Sequence, residues 1–375
     1  MRDSAPKYRV IFQALRSAID GGTYGVGARL PSEHEMVRSY GASRVTVIRA
    51  LQELRSQGYI ERRAGSGTFV SASRAKRLSF GLLIPDLGET EIFEPICRAM
   101  ASSQQAESHS LVWGRTLSSA TATLADAEEV CSRMISNKVS GVFFAPVEGN
   151  SEKDALNEAI ASALSEAQIP IVLLDRDIYQ FPRRSRFDVV GIDNRRAGFV
   201  AAKHLLEAGC RRVAFLGRPH MAPSCVARSW GCRDAVSECL DELAAPLVDH
   251  LDPADRARLA GIMESYKPDG IVCSNDRMAA VLMKTLAAIG VSVPDQVRLV
   301  SFDDVQYASL VTVPLTTIHQ PCSQLGAAAI RAMHERLQDP DMPARDILLD
   351  FRLVIRESSG SAAAELACAG AEVTA

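Results

Sequence analysis

Apolar residues in the first seventy positions recur at helical spacing and then give way to a short hairpin pattern. Behind Ser43, Val47, Ala50, Leu51 and Leu54 fall on one stripe, which predicts a helix with one buried face and leaves Arg44, Thr46, Arg49 and Gln52 mostly off it. Ser32 and Ser43 occupy N-cap positions, and Glu35, three residues after Ser32, completes a capping box. Gly41 lies between the two short helices, where left-handed backbone is commonly required. Lys7 to Asp20 supplies an earlier helix, and Gly65-Ser66-Gly67 supplies the tip of a small hairpin. Three helices followed by a hairpin predict a winged helix-turn-helix over residues 1–70.

From Leu78 the pattern changes. The runs LSFGLLIP, VSGVFFAP, PIVLLD, RVAFLG, GIVCSN and VRLVSFDD alternate with helical stretches, among them Glu94–Gln105, Asp154–Glu166 and 196–208. Continuous apolar strands joined by helices predict parallel sheets covered on both faces, a doubly wound α/β architecture. Residues 78–357, about 280 positions, suffice for a large core or two lobes. The small, basic segment 71–77 reads as a linker. ILLDFRLVIRESS closes the region, and 358–375, rich in Ala, Ser and Gly, is expected to be a frayed tail.

Charge separates the two regions. Residues 1–77 hold 14 Lys and Arg against 6 Asp and Glu, whereas the remainder holds 28 against 39. The basic first region suits phosphate neutralisation, with binding that weakens steeply as salt rises. A recognition helix of this size fits the major groove of DNA. No apolar run approaches membrane-spanning length, and no signal core opens the chain. Nine cysteines without CxxC spacing suit a reducing cytoplasm, and Cys225, Cys232 and Cys239, seven apart, read as buried thiols on one helical stripe rather than metal ligands. No phosphate loop, nucleophile elbow or metal-binding histidine pair occurs, so no catalytic residue, metal or cofactor is expected. Asp303-Asp304 is an adjacent pair whose side chains should point apart.

The run LPSEHEMVRSYGASRVTVIRALQELRSQGYIERRAGSGTFV, residues 30–70, resembles the GntR family of bacterial transcription regulators. The resemblance places Ser43, Arg44 and Thr46 against DNA at the start of the recognition helix, and Gly65 and Gly67 at the wing tip. His34, Arg49 and Arg62 complete the expected DNA-facing set. His34 and Ile48 stand where the family commonly has arginine; Arg49 follows, but about 100° around the helix. Val45 and Ile48 either meet thymine methyls or pack partly against the wing.

PIVLLDRD, VVGIDNRRAGFVAAKHLLEAGCRRVAFLG, GIVCSNDRMAAVLMKTLAAIGVSVPDQVRLVSFDD and PLTTIHQP resemble the effector domain of LacI/GalR regulators, itself similar to periplasmic sugar-binding proteins with two lobes and a cleft. From the residues alone, Asp175, Asn275 with Asp276, and Asp303 each follow an apolar strand, where ligand clefts form. By resemblance, Arg228, Asn275 and Asp303 contact ligand, Asp175 faces them from the opposite lobe, and Gln320 lies on a crossover. Phe93 and Trp230 offer apolar faces, each also readable as core, and Asp86 is a further polar candidate. Asp276 reads as a helix N-cap, and Asp193-Asn194 as a turn or cap. The expectation is a cytoplasmic, homodimeric regulator of double-stranded operator DNA, a repressor released by a small sugar. A purine or other corepressor is the alternative, and an enzyme with a DNA-binding appendage a remoter one.

Overall fold

A computed structural model describes residues 7–20, 23–25, 27–56, 58–63, 66–71, 78–85, 92–102, 109–113, 121–239 and 247–360. The chain divides into two compact units, one built chiefly on residues up to Leu78 and the other chiefly on those after it.

The first unit holds α1 (Lys7–Asp20), α2 (Glu33–Tyr40), α3 (Arg44–Ser56) and the antiparallel hairpin β1 (Ile60–Arg63) and β2 (Gly67–Val70). Ile11, Leu15, Met36, Val47, Ala50 and Leu54 close its core under Tyr59, Ile60 and Val70. At the start of α2, Glu35 N–H donates to Ser32 Oγ (3.3 Å) while Ser32 N–H donates to Glu35 Oε2 (2.7 Å), so two otherwise unpaired donors are satisfied reciprocally. Gly41 ends α2 at φ 55°, the left-handed conformation that its position demands. Ser71 is buried and its N–H donates to Tyr59 O (3.0 Å). The expected linker therefore loses its first residue to the hairpin, and 72–77 lie outside the described residues.

The second unit contains two sheets. One is formed by β3 (Leu78–Leu83), β4 (His109–Trp113), β5 (Gly141–Phe144), β6 (Ile171–Leu174), β7 (Asp188–Ile192) and the late strand β13 (Asp346–Leu349), in the order β13-β7-β6-β5-β3-β4. The other is formed by β8 (Val213–Gly217), β9 (Leu247–His250), β10 (Gly270–Cys273), β11 (Arg298–Asp303), β12 (Thr316–His319) and β14 (Arg352–Val354), in the order β14-β12-β11-β10-β8-β9. Central strands are buried end to end, as strands covered on both faces must be. The one departure from parallel order in the second sheet is β14, which pairs antiparallel with β12 because the chain reverses as it returns from β13.

Helices α4 (Phe93–Ala101), α5 (Leu124–Ser136) and α6 (Lys153–Glu166) accompany the first sheet; α7 (Asn194–Glu207), α8 (Pro223–Cys239), α9 (Arg256–Ser265) and α10 (Asp276–Ala288) accompany the second. Helix α11 (Cys322–Gln338) returns to the first lobe, where a Cβ on Gly326 would lie 2.5 Å from Ile96 O of α4. The chain thus crosses between lobes after Ile192, around Gln320 and after Leu349. Helices α7 and α8 touch backbone to backbone: a Cβ on Gly198 would fall 2.0 Å from Arg228 O, and one on Gly231 1.8 Å from Arg195 O. On α8, Cys225 and Cys232 are buried, but Cys239 is exposed because the last turn runs past the core. Residues 358–360, the start of the expected tail, belong to the fold, and 361–375 lie outside the described residues. Ser358 and Ser359 are buried in a 3-10 turn, Ser358 Oγ donating to Leu299 O and accepting from Thr316 N–H, both at 2.8 Å. Among the described residues no helix is long and apolar enough to cross a membrane.

One buried ion cluster staples the first lobe. Asp188, at 0% exposure, accepts from Arg336 Nη2 (2.9 Å), Arg345 N–H (2.9 Å) and Arg345 Nη2 (3.2 Å), tying β7 to α11 and to the approach to β13. Burial alone would raise this carboxyl, but the donors from Arg345 and Arg336 outweigh it and hold it below the usual aspartate range. A depressed carboxylate contributes stability above its unfolded pKa, and that contribution disappears as pH falls through the folded value. Asp188→Ala should lower the stability of the second unit by about 3–5 kcal/mol near neutral pH, since two arginines lose their shared partner. The deficit should shrink in acid below about pH 4. Thermal unfolding across pH checks this, and a pH-independent deficit would show that the charge is not the cause.

Candidate functional site

Two polar constellations arise, one in each unit. In the second unit the carboxyl ends of parallel strands from both lobes converge on a cleft. Asp175 directly follows β6 and is buried in the left-handed region at φ 70°. Its Oδ2 accepts from Arg176 Nη1 and Ser224 Oγ, both at 3.1 Å, while its buried Oδ1 meets no hydrogen-bond donor among the described residues. Arg176 Nε donates to Pro146 O (3.0 Å) and its Nη2 pairs with Glu148 (3.3 Å). Its guanidinium lies 5.8 Å from the centre of the Phe93 ring.

From the second lobe, Arg228 is 3% exposed. Its Nε donates to Asn194 Oδ1 and its Nη1 to Ser274 O, both at 2.8 Å, with the guanidinium over Phe302. Its Nη2 stands 3.9 Å from Asp303 Oδ1, too far for a hydrogen bond. Asp303 ends β11 at φ 111° and accepts from Gln320 Nε2 (2.8 Å); the Gln320 Oε1 is buried and meets no donor among the described residues. Burial pushes the Asp303 carboxyl up, to about 6, against the pull of Arg228. Two aspartates in a backbone region that L-residues rarely adopt, both lining one cleft, mark strain held by the surrounding fold.

The structure therefore brings Asp175, Arg228, Asp303 and Gln320 together, with Gln320 on the second crossover as expected. Asn275 borders the cleft, but its Oδ1 caps α10 through Met278 N–H (2.9 Å). The cap expected of Asp276 thus belongs to Asn275. Asp276 instead is fully buried and accepts from Thr317 Oγ1 (2.7 Å), Val305 N–H (3.0 Å) and Ser301 Oγ. Burial and the neighbouring Asp303 raise its carboxyl. Asp193 caps α7, and Asp304 turns away from Asp303 to His319 (2.9 Å) and Arg356 (2.6 Å). Phe93 is fully buried under Arg176. Trp230, two positions from Arg228, faces a different groove, because such neighbours lie about 200° apart on a helix. Asp86 lies outside the described residues.

Sequence reading missed Arg176, Glu148, Asn194 and Ser224. Arg176 had a signal, since it follows Asp175 in the strand-end run LLDRD. The other three become visible only once loops and helices from separate strands meet. The cleft presents Asp175, Glu148 and Asp303 against Arg176 and Arg228, leaving no net positive charge for an anion. Its two unmet acceptors suit ligand hydroxyls that donate as well as accept. Cys225 sits beside these groups, but burial pushes its thiol up to about 12, so it offers no thiolate. Among the described residues no cluster of three metal-ligating side chains occurs.

In the first unit, His34, Arg44, Arg62 and Gly67 line one groove of about 500 Å³ with Glu33. Glu33 pairs with both Arg44 (3.1 Å) and Arg62 (3.3 Å). Ser43 Oγ meets Thr46 Oγ1 (2.7 Å) and accepts Thr46 N–H (3.2 Å), fixing the first turn of α3. Arg49 lies outside this groove, its guanidinium 4.1 Å over the Tyr8 ring. Val45 is exposed, whereas Ile48 is half-buried and lines a pocket with Ile60 and Thr68 of the hairpin. Gly67 has φ 118°, and a Cβ there would meet Arg29 Nε at 2.9 Å. Gly65 lies outside the described residues.

Residues 7–70 match the family of bacterial regulatory proteins called gntR, and residues 202–359 match a periplasmic binding protein-like domain. The arabinose metabolism transcriptional repressor of Geobacillus stearothermophilus is 26% identical over 94% of this chain and 98% of its own length. The ribose operon repressor of Halalkalibacterium halodurans is 24% identical over 84% of this chain and 94% of its own. Among solved structures, a LacI family transcriptional regulator from Enterococcus faecium with bound ribose superposes with a TM-score of 0.59 at 20% identity, covering 75% of this chain and 98% of that one. The chain thus joins a segment that matches the gntR family of bacterial regulatory proteins to one that matches a periplasmic binding protein-like domain.

Proposed function

We propose that this protein is a cytoplasmic homodimeric transcription repressor that binds double-stranded operator DNA through its winged helix and is released by a small neutral sugar in the cleft. The observation that carries the sugar is the pair of buried acceptors, Asp175 Oδ1 and Gln320 Oε1, one on each side of Arg228 in chain order and both without a donor among the described residues. A pentose or hexose offers hydroxyls that donate to these oxygens and accept from guanidinium groups. The names of the two repressors, and the ribose in the Enterococcus structure, point the same way. A purine would need an open aromatic face, and Phe93 lies buried under Arg176.

Ser43, Arg44, Thr46, His34, Arg62 and Gly67 form the DNA-facing set. A two-fold pair of winged helices reads half-sites about one helical turn, or a multiple of it, apart. Sugar binding shifts the lobe arrangement and weakens operator affinity, with coupling of about 1–3 kcal/mol. The test is thermal unfolding of the full chain with arabinose, ribose, xylose, glucose and hypoxanthine, alongside operator titrations. A sugar at 100 times its Kd should add about 2.7 kcal/mol to the folded state and loosen operator binding. Stabilisation by hypoxanthine alone, with tighter operator binding, would replace this reading with a corepressor.

A further inference from the structure

Helix α8 presents two working faces. Ser224 and Arg228 face the cleft, whereas Val226, Ser229, Trp230 and Arg233, spaced i, i+3, i+4 and i+7, line a separate groove of about 550 Å³. Pro219 and His220, in the loop after β8, and His250, at the end of β9, complete its second-lobe wall. These are again carboxyl ends of adjacent parallel strands, where α/β proteins place ligands. Lys153 and Gln180 supply the wall from the first lobe, and Gly149 N–H donates to His220 O (3.0 Å) across the two lobes. His220 holds φ 55°, a strained value for a residue other than glycine.

The chemistry of this groove differs from that of its surroundings. The chain from residue 78 onward carries 39 acidic against 28 basic residues, yet among the described residues no Asp or Glu lines the groove. Lys153 is held by Asp154 (2.7 Å), but Arg233 is exposed and faces no carboxylate among the described residues. Trp230 is half-buried, with Phe181, 75% exposed, packed edge-to-face at 5.8 Å. Basic and imidazole groups around an indole, at a volume usual for small-molecule sites, suit a planar ring bearing an anion.

We infer that this groove is a second small-molecule site, taking a planar phosphate monoester of the nucleoside monophosphate class. Arg233, with His220 and His250, faces the phosphate, and Trp230 stacks on the base. Because both lobes form the groove and α8 also carries Arg228, its occupant biases the same lobe arrangement as the cleft ligand. By reciprocity a cleft ligand shifts the affinity of this groove by the same factor, so the groove is titrated with the cleft empty and its test stands apart from the proposed sugar.

Calorimetric titration of the full chain with adenosine monophosphate, ribose 5-phosphate, inorganic phosphate and adenosine tests the site. The expected result is saturable binding of adenosine monophosphate, weakened at least about tenfold by Arg233→Gln and by Trp230→Leu, with weaker binding of the other three probes. Unfolding profiles should match the parent, since Arg233 is exposed and Trp230 lies on the groove wall. Absence of saturable binding would overturn the inference. So would binding that neither variant changes, which places the nucleotide elsewhere, or ribose 5-phosphate binding as tightly with Trp230→Leu silent.

Discussion

Arg228→Ala is expected to abolish the response to sugar while leaving operator affinity within about twofold of the parent, because the substitution lies in the effector domain rather than the winged helix. Arg228 is held by Asn194 and Ser274 on one side and stands 3.9 Å from Asp303 on the other, so its free edge is positioned before ligand arrives. Removing the guanidinium costs the ligand a charged donor and leaves Asp303, already raised by burial, without its cation. Losses of this kind amount to about 2–5 kcal/mol, or about 30-fold or more in sugar affinity. Arg228→Lys keeps the charge but loses the planar fork, and should recover only part of the affinity. Thermal shift and operator release, measured on variants with native unfolding profiles, decide the matter. Loss of operator binding by a folded Arg228→Ala protein would mean that the cleft and the DNA-reading unit do not divide the work as proposed.

The parts legible in the sequence were those governed by local rules. Caps and turn glycines depend on three or four neighbouring residues, so Ser32, Glu35 and Gly41 fall where the spacing placed them. Strand ends were equally readable, which is why Asp175 and Asp303 could be assigned to a cleft. What stayed hidden depends on tertiary meeting. Asn194 reaches Arg228 only because Gly198 and Gly231 let α7 and α8 touch backbone to backbone. Trp230 lines a separate groove, since a resemblance fixes a residue on a helix, not the direction in which it points. Asn275 takes the cap expected of Asp276 because the helix begins one residue earlier than the motif suggested, which sends Asp276 inward to Ser301 and Thr317.

In the winged helix, Glu33 governs the second large expectation. It pairs with Arg44 and Arg62 at once, so both arginines are held toward one groove, but each must leave a carboxylate to meet a phosphate or base. These pairs are solvent-exposed at the arginine end and individually worth about 1 kcal/mol or less. Arg44→Ala should therefore weaken operator binding by about 1–3 kcal/mol, roughly 5- to 150-fold, and lower the slope of affinity against salt by about one ion if its contact is to phosphate. Sugar affinity should not change. Glu33→Gln removes the competing charge and should act in the opposite direction, tightening binding to non-specific DNA more than to operator and so eroding the specificity ratio. Operator and random-duplex titrations at several salt concentrations separate the two effects. If Glu33→Gln instead weakens operator binding with no change on random DNA, Glu33 holds Arg44 in place for base readout, and the carboxylate aids recognition rather than competing with it.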